Sequence, residues 1–82
     1  MPTDYSKRQI KSILRSIKSN EQNIIEHEEK LSDPEGYATD FDFSIPGARE
    51  RLIRHWTHEI EVYKAEIKAA KEELERRDRH EI

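Results

Sequence analysis

Three side chains at helical spacing, His55, His58 and Glu59, are of the types that bind metal ions. His55 and His58 are three residues apart, and His55 and Glu59 are four apart, so a helix presents either pair on one face. A zinc site needs a third protein ligand, and the HExxH motif of zinc proteases is absent. The helical phase also places both histidines away from the apolar residues. We therefore expect surface histidines and predict neither a metal site nor a cofactor.

His27 is the histidine that the apolar spacing of its own helix turns toward a partner helix. An imidazole in such a place can act as a pH sensor. More often it pairs with a nearby carboxylate or reaches the edge of the packed layer. Asn20 faces the same side, where a polar residue penalises wrong alignments of two helices. We favour the structural interpretation for both residues and leave pH sensitivity at His27 open.

An acidic segment follows the first predicted helix and contains Asp33, Glu35, Asp40 and Asp42. Carboxylates are the ligands that calcium prefers, but their spacing here does not match an EF-hand loop. We predict a solvated acidic loop.

A basic strip on the first predicted helix could contact phosphates. Its members are Lys7, Arg8, Lys11, Arg15 and Lys18. Basic residues of the last helix would lie near the same end, but acidic residues are interleaved with them. Nucleic-acid binding is therefore kept as an alternative function.

Catalytic motifs are missing from the sequence. Two glycines cannot form a Gly-rich phosphate loop, and two long helices leave no cleft for paired catalytic carboxylates. We predict that the protein is not an enzyme.

The stretch 52–74 carries apolar residues in alternating steps of three and four. This is the a/d heptad pattern of a coiled coil, and so narrow a seam must be covered by another helix. The a positions are Ile53, Ile60, Ile67 and Leu74, and the d positions are Trp56, Tyr63 and Ala70. The outer g positions are Glu59, Glu66 and Glu73, and the e positions include Lys64 and Lys71.

We predict one domain, 1–82, with helix 1 at about 4–31, a linker at 32–46 and helix 2 at about 47–79. Ile10, Ile17, Ile24 and Leu31 supply the a positions of helix 1. Thr3 or Asp4 would be the N-cap of helix 1, and Ser44 that of helix 2, with Pro46 in the first turn. The alternation from Phe41 to Ile45 predicts an extended segment that caps the helix ends.

Charge predicts how the helices pair. Each begins basic and ends acidic, which opposes the helix dipole. An antiparallel arrangement brings each acidic cluster to a basic one, so we predict an all-α, coiled-coil-like, antiparallel two-helix hairpin. The small residues Val62, Ala65 and Ala69 lie away from the seam. Together with Leu14, Ile25 and the linker aromatics they could build a dimeric four-helix bundle, although scattered surface apolar residues are also normal.

Composition agrees with a small helical protein that needs a partner. Of 82 residues, 40% are charged and only 33% are hydrophobic, so a core of this size is marginal without a second copy or another protein. The absence of cysteine fits a cytoplasmic location. We expect no signal peptide and no membrane span.

Part of the sequence resembles helical hairpin segments near the C-terminal ends of bacterial Rhs-type polymorphic toxins. In those segments a proline and a tyrosine follow the first helix, and a tryptophan lies early in the second. The matching motifs are Ile17-Lys18-Ser19, Ile24 through His27, Lys30-Leu31, Asp33-Pro34-Glu35-Gly36-Tyr37, Leu52-Ile53, Trp56 and Glu59-Ile60. The resemblance, over about residues 13–75, implies a bacterial or phage origin and a contact role beside a toxin or its immunity protein. It carries no catalytic residues, and these 82 residues include no toxin domain.

The leading hypothesis is a non-enzymatic protein-binding module, such as a small bacterial or phage adaptor or inhibitor, that forms a homodimer. Large aromatic side chains supply most of the energy in such contacts. The predicted anchors are Trp56, Tyr63, Phe41, Phe43 and Tyr37. A nucleic-acid-associated protein and a component of a toxin–immunity system are the alternatives.

Overall fold

The computed structural model describes residues 4–80, and side chains as far as Arg79. It is all-α, as predicted: α1 spans Ile10–Ser32, α2 spans Pro34–Tyr37 and α3 spans Ala48–His80. No strand is found within residues 4–80. In the same residues no helix combines the length and the apolar character needed to cross a bilayer.

The two long helices pack side by side in opposite directions. At one end Arg77 Nη2 donates to the Tyr5 carbonyl oxygen at 3.0 Å. Further along, His27 Nε2 contacts Glu59 Oε2. At the other end Arg49 Nη1 lies 2.9 Å from Glu35 Oε1. From Tyr5 through His27 to Glu35, the residue number of the partner on α3 decreases from Arg77 through Glu59 to Arg49. The two long helices are therefore antiparallel, as the charge pattern predicts.

The start of α1 differs from the prediction. Helix 1 was expected from about residue 4, but α1 begins at Ile10, and Gln9 makes no side-chain cap. Asp4 Oδ1 instead accepts from the Ser6 backbone N–H at 3.0 Å, and Arg8 N–H donates to the Tyr5 carbonyl. These bonds fold the segment 4–9 into a turn, as aspartate often does before a helix. Thr3, the other expected N-cap, lies outside the described residues.

The connection is folded, and the extended segment predicted from Phe41 to Ile45 is wrong. Asp33 is the N-cap of α2 and accepts a hydrogen bond from Gly36 N–H. A Cβ at Gly36 would lie 2.1 Å from an Asp33 carboxylate oxygen, so the cap needs glycine there. Turns follow α2, and the Phe41 and Phe43 rings pack edge to face with centroids 5.1 Å apart.

The start of α3 also differs from the prediction, since neither Ser44 nor Pro46 belongs to it. The Ser44 hydroxyl and backbone N–H both donate to Asp42 Oδ1, so Ser44 closes a turn and does not cap a helix. Gly47 then has a φ of 78°, a left-handed conformation that glycine adopts without strain. The chain thereby enters α3 at the buried Ala48.

The core forms along the predicted seam. Tyr5, Ile13, Ile17 and Ala70 are buried together, and Ile67, Ala69 and Leu74 pack against them. Nearer the connection, Trp56, Ile60, Ala48 and Pro34 are buried. Ile17 and Ala70, predicted at a and d positions, therefore lie in one buried cluster. The Tyr63 ring, at a d position, packs edge to face against the His27 ring, with ring centroids 5.2 Å apart.

Candidate functional site

A histidine–glutamate–histidine cluster joins α1 to α3. Glu59 Oε2 contacts Nε2 of the buried His27, and Glu59 Oε1 lies 2.5 Å from Nε2 of the exposed His55. His27 Nδ1 lies 2.9 Å from the Asn23 carbonyl oxygen. Heptad spacing explains why His27 contacts Glu59, because His27 is at a d position of α1 and Glu59 is at a g position of α3. Glu59 therefore lies between the helices and is not an outer residue.

The proton positions in this cluster follow from its acceptors. A carbonyl oxygen can only accept, so His27 Nδ1 carries a proton and donates it to Asn23. Nε2 then faces a carboxylate oxygen of Glu59. The hydrogen bond from His27 lowers the pKa of Glu59, and the charges of His55 and Lys30 act in the same direction. The contact between His27 and Glu59 therefore links α1 to α3.

Acid should weaken the contact between His27 and Glu59. The pKa of Glu59 is lower in the folded chain, so the unfolded chain binds a proton more readily as the pH falls. The Glu59 contribution is complete above the ordinary glutamate pKa of about 4.3 and is lost below it. We expect urea midpoints measured from pH 7 to pH 3 to fall more steeply for the native protein than for Glu59→Gln. Glu61→Gln, at an exposed position, is the control and should keep the native acid limb. Parallel curves for Glu59→Gln and the native protein would contradict this assignment.

The histidines predicted to lie on the surface are not gathered into a metal site within residues 4–80. His58 is exposed, as expected, and His55 is used by Glu59. Across residues 4–80 no group of three or more histidine, aspartate or glutamate side chains is placed to hold a metal ion.

Three of the four acidic residues of the connection have structural roles, and the fourth, Asp40, is exposed. Asp33 caps α2, Glu35 pairs with Arg49, and Asp42 binds Ser44. The hydrogen bonds from Ser44 lower the pKa of Asp42. These contacts fix the shape of the connection, and they direct the carboxylates to different partners rather than to one point.

Four of the five residues in the basic strip are exposed, and the fifth, Arg8, is not. Lys7, Lys11, Arg15 and Lys18 are exposed. Arg8 turns inward: its Nε donates to Ser12 Oγ at 2.9 Å, and its guanidinium lies 5.2 Å from the centroid of the Tyr5 ring. On α3, Arg77 donates to three backbone carbonyls of the segment 5–8. Arg8 and Arg77 therefore hold the N-terminal turn and are not free to contact phosphates.

The predicted protein-binding anchors fall into two groups. Trp56 is only 8% exposed, and Tyr63 is half-buried against His27, so both belong to the helix packing. Phe43 is half-buried against Phe41. Tyr37 and Phe41 remain exposed in the connection. A partner that approaches this end of the hairpin would therefore meet Tyr37 and Phe41 before the other three.

Sequence reasoning missed the roles of Tyr5, Glu66 and Glu73 at the end of the hairpin opposite the connection. The buried Tyr5 hydroxyl donates to Glu66 Oε2 at 2.7 Å and lies 2.8 Å from Ser16 Oγ. Glu73 is buried, and the hydrogen bond from Arg76 lowers its pKa, with Arg77 also contributing. The seven-residue spacing of Glu59, Glu66 and Glu73 could have revealed the two glutamates. It places these side chains on the side of α3 that α1 and the N-terminal turn cover.

Comparison with known proteins does not assign this chain to a family. Searches against protein-family models, curated proteins and solved structures find no significant match to this chain.

Proposed function

We propose that this chain is a non-enzymatic helical module that binds another protein through the connection end of the hairpin. The observation that carries the proposal is the exposure of three large apolar side chains, Tyr37, Phe41 and Ile45, in one short connection. Exposed aromatic and aliphatic side chains that cluster on a small protein are typical of interaction sites.

The order of the connection supports the same proposal. Asp33 caps α2, Asp42 closes a turn through Ser44, and Glu35 is tied to Arg49 of α3. Each contact limits the conformations of the segment before a partner arrives. A preorganised surface loses less conformational entropy on binding, so a few side chains can supply useful affinity.

Self-association is the second part of the proposal. A two-helix core is small for 82 residues, and Ile10, Leu14, Ile25 and Val62 remain exposed on the helices. We expect two copies to form a four-helix bundle, which would leave both connection ends accessible. The resemblance to Rhs-type segments suggests a toxin or immunity protein as one class of partner.

Nucleic-acid binding remains the alternative, because Lys7, Lys11, Arg15 and Lys18 are exposed and form no ion pair within residues 4–80. Their end of the hairpin lies opposite the connection. The two functions therefore depend on different residues and can be separated.

The test compares two full-length variants as bait for proteins from bacterial lysate. We expect Phe41→Ser together with Tyr37→Ser to lose the captured protein while helicity is unchanged, since both side chains are exposed. Charge reversal at Lys7, Lys11 and Arg15 should leave capture intact. The probe for the alternative is random-sequence duplex DNA at two salt concentrations. Salt-sensitive DNA binding that only the charge-reversed variant loses, with capture unaffected by the aromatic substitutions, would reject the protein-binding proposal.

A further inference from the structure

One long side of the hairpin exposes apolar side chains of α1, and nothing within residues 4–80 covers them. Ile10 and Leu14 near the start of α1 are about half exposed, as is Ile25 further along. Beside Ile25, a groove of about 320 Å³ is lined by Glu21, Ile24, Ile25, Ile67 and Lys71. We call this side, lined by Ile10, Leu14, Ile24 and Ile25 of α1 and by Ile67 of α3, the apolar face.

The opposite side of the hairpin is closed. There the d and g positions carry His27, Glu59 and Glu66, each of which has a hydrogen-bond partner on the other helix or on the N-terminal turn. Tyr5 and Arg77 complete that cover. The apolar stripe of α1 is therefore wider than α3 can bury. An apolar strip of this length on a small protein marks a contact surface.

We propose that the apolar face is the homodimer interface, with α1 of each copy lying on α3 of the other. This inference rests on the proposed self-association and assigns it to one surface. The pairing is antiparallel between the copies as it is within each copy, which gives the four-helix bundle a uniform antiparallel packing.

The charges that border the apolar face select the second copy and its orientation. The α1 border is acidic at Glu21, and the α3 border is basic at Lys71, on opposite sides of the same groove. One heptad away on each helix, Glu28 and Lys64 repeat this pair at a common level. When α1 lies on α3 of the other copy, each glutamate meets a lysine of its partner, and two-fold symmetry doubles every pair.

The other two-fold arrangement, with α1 on α1 and α3 on α3, brings like charges together at these borders. Like-charged pairs across an interface oppose association. Glu21 and Lys71 form no ion pair within residues 4–80, so both are available to a second copy.

The side of α3 that carries Val62, Ala65 and Ala69 is a poorer interface. Ala69 packs against the core cluster and borders the N-terminal turn beside Tyr5. Val62 is the one large exposed hydrophobic residue of that side within the described part of the chain. We therefore assign the second interface to the apolar face and not to these small residues.

The test measures the dimer dissociation constant of the full chain by sedimentation equilibrium. Ile25→Lys removes an apolar contact from each copy and places a charge in the interface. We expect it to weaken the dimer at least about 100-fold. Val62→Lys is the matched control, because Val62 is 45% exposed and Ile25 is 50% exposed, and it should leave the dissociation constant unchanged. Circular dichroism verifies that both variants keep their helicity.

Charge variants test the orientation. Glu21→Lys alone and Lys71→Glu alone should each weaken the dimer about tenfold, because two attractive pairs become repulsive. An equimolar mixture of the two variants should regain native affinity as a heterodimer, since both of its pairs are again opposite in sign.

Each contrary result has a distinct meaning. A native chain that stays monomeric at all concentrations overturns the self-association and this inference together. A native dimer that Val62→Lys disrupts and Ile25→Lys does not overturns only the choice of face. Single charge variants that associate as tightly as the native chain overturn the orientation.

Discussion

Replacement of Trp56 by alanine is expected to lower the free energy of unfolding by about 3–5 kcal/mol, the range for large aromatic side chains removed from a core. Trp56 is 8% exposed, so its ring contributes buried apolar area that no neighbour can replace. Urea unfolding followed by circular dichroism gives the free energy. If dimers form, native protein and variant must be compared at one protein concentration, because association adds to apparent stability.

Tyr37→Ala is the control for Trp56→Ala, because Tyr37 is 54% exposed. We expect its free energy of unfolding to lie within about 0.5 kcal/mol of the native value. A Trp56→Ala protein with native stability that no longer binds its partner would show that Trp56 faces the partner. That result would contradict the packing described above.

Replacement of Tyr5 by alanine is the second large expected effect, a loss of about 3 kcal/mol. Tyr5 is 3% exposed and packs with Ile13, Ile17 and Ala70, although it precedes the first helix. The value lies at the lower end of the aromatic range because a segment near the terminus can detach, and no cavity need remain. Urea unfolding measures the loss.

Tyr5→Phe separates the ring of Tyr5 from its hydroxyl. It keeps the packing and removes the hydrogen bonds to Ser16 and Glu66, so we expect a loss of about 1–2 kcal/mol. Equal losses for Tyr5→Phe and Tyr5→Ala would assign the whole effect to the hydroxyl. No loss in either variant would mean that the N-terminal turn does not stabilise the hairpin.

The two proposed surfaces have different physical origins. The connection end exposes Tyr37 and Phe41, and the hydrogen bonds of Asp33 and Asp42 hold the turns on either side of them. The apolar face exists because α1 is apolar over a wider angle than one neighbouring helix can cover. The proposed binding to another protein and the proposed pairing with a second copy therefore use different residues.

The sequence by itself determined the helical class, the two long helices and the apolar seam through which they pack. Heptad spacing placed Ile17, Trp56, Ile60 and Ala70 in the interior, and the charge pattern predicted the antiparallel pairing. These features follow from the period of the helix and from the sum of charges along it, both of which can be read locally.

Only the tertiary structure decided where α1 begins, how the connection folds and which polar groups meet. Tyr5 is buried because the turn at Asp4 folds it back onto residues far away in sequence. His27 meets Glu59 because the register of the two helices brings them to one level. Such contacts depend on a turn or on a register that the neighbouring residues do not specify, whereas the period of an amphipathic helix is specified at every step of the chain.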